Sequence, residues 1–370
     1  MCILSTTKKT TIQDIADALG VSRNTVSKAI NNTPGLAEAT REIILRKAVE
    51  MGYKQFSYVQ ALYQTASAPE QSCEPSRGAP AQELSPDASA REIALLTTFY
   101  FSASHFASLM LDQLHQELLR LGYRLNTYHV RAEELRERRL PLAFQPEQVS
   151  AVVCIEMFDW DYDSMLCGLG LPILFVDGPP RIGGRTLPAD QLYMDNSTEL
   201  SRLLSELLRR GVRRIGFLED YLHCQSFFER YMSFRMVMTL EGVPVEERFI
   251  LPANGIPELS RGLEALEQLP ELFVCANDFV TYDALQILRR LGKRVPEDLM
   301  LCGFDDAPES RMVVPALTTV HIHTQVMAFS AAQLLLTRIR EPSLDFRKVY
   351  TETDLVLRES TGALRDNSDH

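Results

Sequence analysis

A stretch of 27 residues with almost no apolar bulk divides this chain in two. Fifteen of residues 64–90 are Ala, Ser or Pro, and Leu84 is the one sizeable aliphatic residue among them. Such a segment cannot bury enough surface to offset the entropy of ordering it. We therefore expect a flexible linker at 64–90 between an N-terminal domain (1–63) and a larger domain (91–370); an ordered, irregular surface loop is the alternative.

The two folded parts differ in charge. Residues 1–63 have a net charge of +3, whereas the whole chain has −11, so the remainder is acidic. This asymmetry predicts that a polyanion would bind the N-terminal domain alone. No apolar run approaches the ~20 residues that a membrane span requires. The N-terminus also lacks a long apolar segment of the secretory kind, so we expect a cytoplasmic protein without membrane contact.

Motifs of enzyme chemistry are missing from the sequence. The seven cysteines form no CxxC pair and several lie in apolar runs, which predicts reduced, buried thiols. There is no GxxxxGK[ST], GxSxG or HExxH motif. His321 and His323 have no evident third metal ligand, so surface histidines are the simpler interpretation. We expect no enzyme activity, no metal and no cofactor.

Residues 11–30 predict two short helices joined by a tight turn. Apolar residues recur at helical spacing in TIQDIADAL, and Thr11 can cap that helix. Gly20-Val21-Ser22 ends it, and Ser22 is a natural N-cap for a helix that begins at Arg23. Further helices are predicted at 39–51 and, more weakly, at 57–63. A helix pair of this kind indicates an all-α helix-turn-helix domain.

The second helix of such a unit enters the DNA major groove, where its first side chains meet base edges. An Arg can pair with guanine and an Asn with adenine, each worth about 1–3 kcal/mol of discrimination. Arg23 and Asn24, with Lys28 one turn later, are the predicted base readers. Hydroxyl groups for phosphate contacts are predicted at Thr25, Ser27 and Thr40. The alternative is a small helical bundle with ordinary solvated side chains.

Residues 11–53 closely resemble the N-terminal domain of the LacI/GalR family of bacterial repressors. The matching motifs are Asp14-Ile15-Ala16, Gly20-Val21-Ser22, Thr25-Val26-Ser27, Asn31-Asn32, Thr40-Arg41 and Gly52-Tyr53. The resemblance implies that Arg23, Asn24 and Lys28 read the operator. The full set of expected DNA contacts is Thr11, Ser22, Arg23, Asn24, Thr25, Ser27, Lys28, Asn31, Thr40 and Leu62.

Two positions depart from the family pattern. Ala37 stands where the family usually has a capping Ser, which should weaken the start of the third helix by about 1 kcal/mol. Residues 54–57 (Lys-Gln-Phe-Ser) replace the Pro-Asn pair that opens the family's hinge helix. Leu62 matches the hinge leucine that wedges into the minor groove; a linker residue without a fixed partner is the alternative.

From residue 91 onward, short apolar runs alternate with amphipathic segments. Nine runs predict strands, at 92–98, 123–128, 151–157 (AVVCIEM), 172–177, 191–195, 214–219 (RIGFLE), 248–252, 272–277 and 299–304. Helices are predicted at 106–121, 198–209, 227–241, 257–268 and 279–291. This alternation predicts an α/β body with helices on both faces of parallel sheets, and the strand number suits two doubly wound lobes.

The body resembles the family's effector domain, which is periplasmic-binding-protein-like. The clearest match runs from 276 to 308. In this segment Asn277-Asp278 opens a predicted helix, and Gly-Phe-Asp-Asp, at 303–306, spans the end of the next predicted strand. The resemblance implies a small-molecule effector, a sugar by family habit. It places the effector contacts at Phe106, Asp177, Arg230, Asn277 and Asp305. Further aromatic candidates are Trp160, Tyr221, Phe279 and Tyr282, whereas Asp195 is expected to be structural.

Strand chemistry agrees with three of these positions. Asp177, Asn277 and Asp305 each end a predicted strand, and ligands of open α/β sheets bind beyond the carboxyl ends of the strands. A capping role before the next helix is the alternative for each. We expect a homodimeric DNA-binding regulator, a repressor like members of the family it resembles, whose operator affinity responds to a sugar. The alternatives are a sugar-binding protein with a degenerate DNA-binding domain, and an enzyme.

Overall fold

The computed structural model describes residues 11–30, 40, 43–44, 47, 92–100, 106–252 and 254–362. The chain divides into two compact units, one within residues 1–82 and one within 83–370. The predicted linker, the residues 57–63 and the positions Asn31 and Leu62 lie outside the described residues. No helix in the described part is long and apolar enough to span a bilayer.

The N-terminal unit contains the predicted helix pair. Helix α1 covers Ile12–Leu19 and helix α2 covers Arg23–Ile30. Ile15, Ala16 and Val26 are buried between them. Thr40, Ile43, Ile44 and Lys47 are also helical, in agreement with the predicted third helix, and Ile44 is buried.

The larger unit contains two parallel sheets. The first has six strands: β1 (Glu92–Thr97), β2 (Arg124–His129), β3 (Ala151–Ile155), β4 (Ile173–Val176), β5 (Asp190–Met194) and β11 (Lys348–Thr351). Their order is β11-β5-β4-β3-β1-β2. The second sheet has four strands: β6 (Ile215–Leu218), β7 (Ile250–Leu251), β8 (Leu272–Cys275) and β9 (Met300–Cys302), in the order β7-β6-β8-β9. The predicted pair of doubly wound lobes is confirmed.

Helices cover both sheets and pack on their apolar faces. They are α3 (Phe106–Arg120), α4 (Ala132–Glu137), α5 (Trp160–Cys167), α6 (Thr198–Arg209), α7 (Gln225–Leu240), α8 (Ile256–Glu264), α9 (Asp278–Arg290), α10 (Pro308–Met312) and α11 (Thr324–Arg340). Separate apolar cores lie on the two sides of each sheet. The thiols of Cys154, Cys275 and Cys302 are buried in these cores, as expected, and Cys224 is buried beside the start of α7, whereas Cys167 is only partly buried.

Several elements depart from the sequence expectation. Strands β10 (Thr319–Ile322) and β12 (Thr353–Val356) form a small antiparallel pair, and β11 joins the first sheet as an edge strand. None of the three was predicted, and neither were helices α4, α5, α10 and α11. The predicted strand at 248–252 is shorter, because only Ile250–Leu251 pairs and a 3₁₀ turn precedes it.

Candidate functional site

The start of α1 is fixed by a reciprocal cap. The Thr11 hydroxyl accepts a hydrogen bond from the Asp14 N–H at 3.3 Å, and the Asp14 carboxylate accepts from the Thr11 N–H at 2.7 Å. Gly20 ends the helix with φ = 65°, a conformation that suits glycine. The predicted cap at Thr11 is therefore confirmed, and it leaves the exposed Thr11 side chain at one end of the helix pair.

The start of α2 displays the predicted base readers. The Ser22 hydroxyl accepts from the Thr25 N–H at 3.0 Å and lies 2.7 Å from the Thr25 hydroxyl, so this pair caps the helix. Arg23 and Asn24 are exposed directly beside that cap, and Lys28 is partly exposed one turn later. Thr40 is also partly exposed. Ser27 lies in the helix, but its side chain is outside the described part.

All five predicted effector residues line one cavity of the larger unit. Its volume is about 370 Å³, and its walls include residues that follow β3, β4, β6, β8 and β9. The lining includes every predicted effector contact: Phe106, Asp177, Arg230, Asn277 and Asp305. The carboxyl ends of parallel strands therefore bring together side chains that are up to 199 positions apart in sequence, as open α/β sheets do.

Arg230 lies at the back of the cavity and is 3% exposed. Its Nε donates to Asn196 Oδ1 at 3.0 Å, and its Nη1 donates to the Ala276 carbonyl oxygen at 2.6 Å. Its Nη2 is 3.8 Å from Asp305 Oδ1, and the guanidinium carbon is 3.6 Å from the Phe304 ring centre. Burial lowers the pKa of Arg230, and the Asp305 carboxylate opposes that shift. Arg230 is thus built into the wall, with Nη2 facing the acidic side.

Asp177 is buried at the end of β4. Its Oδ1 accepts from the Ser226 N–H at 3.1 Å, which joins the first sheet to the start of α7. Burial raises the pKa of Asp177 to about 6, although hydrogen bonds from Cys224 and Ser226 and the charge of Arg230 oppose the shift. The carboxyl group is therefore fixed in place and close to titration at neutral pH.

Asn277 and Asp305 combine structural and cavity roles. The Asn277 side-chain oxygen accepts from the Val280 N–H at 3.0 Å and caps α9. The capping alternative thus holds for Asn277, although it also lines the cavity. Asp305 caps no helix; its N–H donates to the Val320 carbonyl oxygen at 2.8 Å, and its carboxylate faces Arg230. Asp195, by contrast, accepts from the N–H groups of Ser197 and Thr198 and is structural, as expected.

Two carboxylates that follow strands were not predicted from the sequence. Glu156 comes directly after β3 and Glu219 directly after β6, and both line the cavity. Both were counted as strand residues within AVVCIEM and RIGFLE. Four cavity acids have positive φ: Glu156 (56°), Asp177 (63°), Glu219 (105°) and Asp305 (110°). Such a backbone costs about 1–3 kcal/mol per residue and is concentrated at functional sites.

The aromatic walls only partly match the expectation. Phe279 lines the cavity, as do the unpredicted Phe99, Phe158 and Phe227. Trp160, Tyr221 and Tyr282 do not line it. Trp160 donates to the Pro180 carbonyl oxygen at 3.0 Å, and Tyr221 stacks on Tyr231 at 4.0 Å. Tyr282 is 37% exposed on the outer part of α9.

The histidine pair is not simply a surface feature. His321 lies within β10, and its Nδ1 is 3.0 Å from Asp306 Oδ2. His323 Nε2 is 3.2 Å from Asp354 Oδ2, and its side chain is only 14% exposed. Each ring therefore has a carboxylate partner. The described residues contain no group of three potential metal ligands.

Two family profiles match the chain. The bacterial regulatory proteins of the lacI family match residues 11–55, and a periplasmic binding protein-like domain matches residues 204–361. The HTH-type transcriptional repressor PurR of Mannheimia succiniciproducens is 26% identical over 359 residues, with 95% of this chain and 98% of that protein covered. PurR of Pasteurella multocida is 27% identical over 360 residues, with the same coverage.

Solved structures share the fold. The transcriptional regulator CelR–cellobiose complex has a TM-score of 0.64 at 23% identity and covers 95% of this chain and all of that one. The lac repressor dimer bound to operator and the anti-inducer ONPF has a TM-score of 0.58 at 19% identity, over 96% of this chain and all of that one. The helix-turn-helix motif, the two-lobed body and these matches agree. The chain belongs to the lacI family of bacterial regulatory proteins, and is a DNA-binding transcription regulator rather than an enzyme.

Proposed function

We propose that this protein is a homodimeric repressor whose operator affinity changes when a sugar binds the cavity. The observation that carries the proposal is that five residues chosen for effector contact line one cavity in a chain that also presents Arg23 and Asn24 at a capped helix start. Residues 64–90 serve as the linker between the two parts. The protein acts in the cytoplasm, on the nucleoid when DNA-bound.

Repression is supported by the relatives, several of which are called transcriptional repressors. A dimer is supported by the recognition geometry, since helix-turn-helix proteins bind two half-sites of a two-fold symmetric operator. The expected DNA contacts remain Arg23, Asn24 and Lys28 for bases, with the neighbouring hydroxyl groups for phosphates.

A sugar is supported by the cavity chemistry. Carboxylate and amide groups such as Asp177 and Asn277 accept and donate hydrogen bonds to hydroxyl groups, while phenylalanine faces cover the apolar face of a sugar ring. Two structural neighbours were solved with carbohydrates, CelR with cellobiose and a regulator from Alkaliphilus metalliredigens with D-xylulofuranose. Because binding free energies are linked, DNA and the sugar must change each other's affinity by the same factor.

A gel-shift assay with DNA from upstream of the protein's own gene tests the proposal. We expect a specific complex whose midpoint shifts at least several-fold when the correct sugar from a panel is added. The variant Phe279→Ala should lose most of the shift, because Phe279 lines the cavity, and the matched variant Phe346→Ala, whose ring is 54% exposed outside it, should retain the shift. A specific complex that no small molecule alters would refute effector control, and uniform weak binding to every duplex would favour the sugar-binding alternative.

A further inference from the structure

The cavity carries a large excess of negative charge. Its walls contain five carboxylates: Glu156, Asp177, Glu219, Asp283 and Asp305. Arg230 is the only Lys or Arg among the described residues that line it, and His223 is the only histidine. Carboxylates collected in a poorly solvated space repel one another, so an occupant that lowers this repulsion is favoured over a neutral or negative one.

Arg230 does not offset this excess. Its Nε and Nη1 are bonded to Asn196 and to the Ala276 carbonyl oxygen, and its Nη2 faces Asp305. Its guanidinium also lies against the Phe304 ring. The one fixed positive charge is therefore committed to the protein wall and to a single carboxylate, so an anionic ligand would find no free cation there.

Glu219 and Asp283 are two cavity carboxylates without an ion pair to Lys or Arg. Within the described part of the chain neither has a Lys or Arg nitrogen within 4 Å, whereas Asp305 faces Arg230 at 3.8 Å. Burial raises the pKa of Glu219, and the charges of Asp220, Asp283 and Glu258 raise it further against a hydrogen bond from the Asp220 N–H. Burial also raises the pKa of Asp283. Both carboxyl groups line the cavity, and a positively charged group beside them would offset the cost of burying their charge.

Aromatic rings complete the cavity in a way that suits a cation. Phe99, Phe158, Phe227 and Phe279 present rings to the same space. The face of an aromatic ring attracts a nearby ammonium group through its quadrupole and also packs against the carbon face of a sugar. The walls therefore combine hydrogen-bond acceptors, an excess of carboxylates over cations and aromatic rings around a volume of about 370 Å³.

We propose that the effector is a positively charged sugar, one that carries a protonated amine, and that Glu219 and Asp283 bind its ammonium group. The inference rests on the proposed function, since it specifies the ligand of the same cavity. It distinguishes amino sugars from neutral sugars, which lack the charge, and from phosphorylated sugars and nucleotides, which carry the opposite one. A charge-assisted hydrogen bond favours the amine over a neutral hydroxyl by about tenfold in affinity.

The test separates ligands by charge and uses the full-length protein. A metabolite extract of the bacterium that carries the protein is passed over a cation exchanger at pH 7, and the retained fraction and the flow-through are compared for their effect on operator binding and thermal unfolding. Paired probes, D-glucosamine against D-glucose and D-galactosamine against D-galactose, are titrated alongside. We expect the activity in the retained fraction, and we expect any probe that binds to favour the amine by about tenfold.

Variants assign the effect to the two carboxylates. In Glu219→Gln and Asp283→Asn, the response to the retained fraction should fall by about tenfold. The control Glu267→Gln removes an exposed carboxylate of the same lobe that does not line the cavity, and its response should be unchanged. Full responses in both cavity variants would overturn the assignment of the ammonium site.

The possible outcomes distinguish failure of the amino-sugar inference from failure of the proposed effector control. Activity confined to the flow-through, or a neutral sugar that binds as tightly as its amine counterpart, would overturn the inference and leave the proposed function intact. If neither fraction changes operator binding or unfolding, the proposed effector control fails and the inference fails with it.

Discussion

The start of α2 and the cavity of the larger unit use polar side chains in opposite ways. Arg23 and Asn24 are exposed next to a capped helix end, whereas Arg230 and Asp177 are buried and hydrogen-bonded to the protein. The first pair is free to rearrange until DNA fixes it. The second pair is fixed before any ligand arrives. The free energy needed to bury Arg230 and Asp177, and to hold the Asp177 backbone at positive φ, is spent on folding rather than on ligand binding.

Because of this difference, we expect substitution of Arg23 and substitution of Arg230 by alanine to have different effects on stability and on DNA binding. Removal of an exposed DNA-reading arginine should affect DNA binding alone. Removal of the buried cavity arginine should affect the stability of the fold as well, because its partners would lose a buried charge.

Arg230→Ala is expected to have the largest effect. Asn196, the Ala276 carbonyl oxygen and Asp305 would all lose a buried partner, which should lower the free energy of unfolding by about 3–5 kcal/mol. Urea unfolding followed by the fluorescence of Trp160, the only tryptophan in the chain, reports on the larger unit. The control Arg294→Ala removes an arginine from an exposed pair with Asp298 and should leave the midpoint unchanged. Equal midpoints for both variants would contradict the structural role of Arg230.

Asp177→Asn should change how stability depends on pH. The folded-state pKa of Asp177 is about 6, above its ordinary value of 3.8, so the folded protein holds the proton more tightly. This contribution is fully present below pH 3.8 and is lost as the pH rises through about 6, a total change of about 3 kcal/mol. The difference in unfolding free energy between the wild type and Asp177→Asn should fall by about 2 kcal/mol between pH 4 and pH 7. A difference that is constant with pH would show that Asp177 keeps its ordinary pKa.

Arg23→Ala should weaken operator binding without changing the fold. The loss of a base-reading arginine costs about 1–3 kcal/mol at a specific site and broadens sequence preference. Anisotropy titrations against the preferred duplex and its single-base variants measure both effects, and hydrogen exchange at the amides of α1 and α2 checks that the N-terminal unit stays folded. Unaltered preference at every base position would remove the reading role from Arg23.

Thr11→Ala should give the smallest change. It removes one half of the cap of α1 and should destabilise that helix by about 1 kcal/mol. Hydrogen exchange at the amides of α1 measures the loss directly. The control is Gln13→Ala, a substitution at an exposed position of the same helix. In this variant the amides of α1 should exchange at the wild-type rate. Equal exchange in the two variants would mean that the cap contributes nothing.

The residues that line the cavity were predicted from the sequence more completely than the strands at the edge of the first sheet. Asp177 and Asp305 were found because strand ends converge in an open sheet, whereas Glu156 and Glu219 were missed because they were counted inside their strands. Strands identified by continuous apolar runs are buried on both faces. The edge strand β11 alternates exposed and covered residues and carries polar side chains, so it gave no such run.

The partners of each site residue were not predictable from sequence. Nothing in the order of residues indicates that Arg230 would bond to Asn196, 34 positions away, or that Asp177 would meet the N–H of Ser226. These contacts depend on how the two sheets and α7 pack. They decide whether a polar group is available to a ligand or already held by the protein.

The most direct test of the account is selection of duplexes from a random pool by the full-length protein at physiological salt. We expect enrichment of one two-fold symmetric sequence, bound at least about 10³-fold more tightly than a scrambled duplex. Addition of the active metabolite fraction should shift that affinity. The same affinity for every duplex, with or without the fraction, would contradict the account.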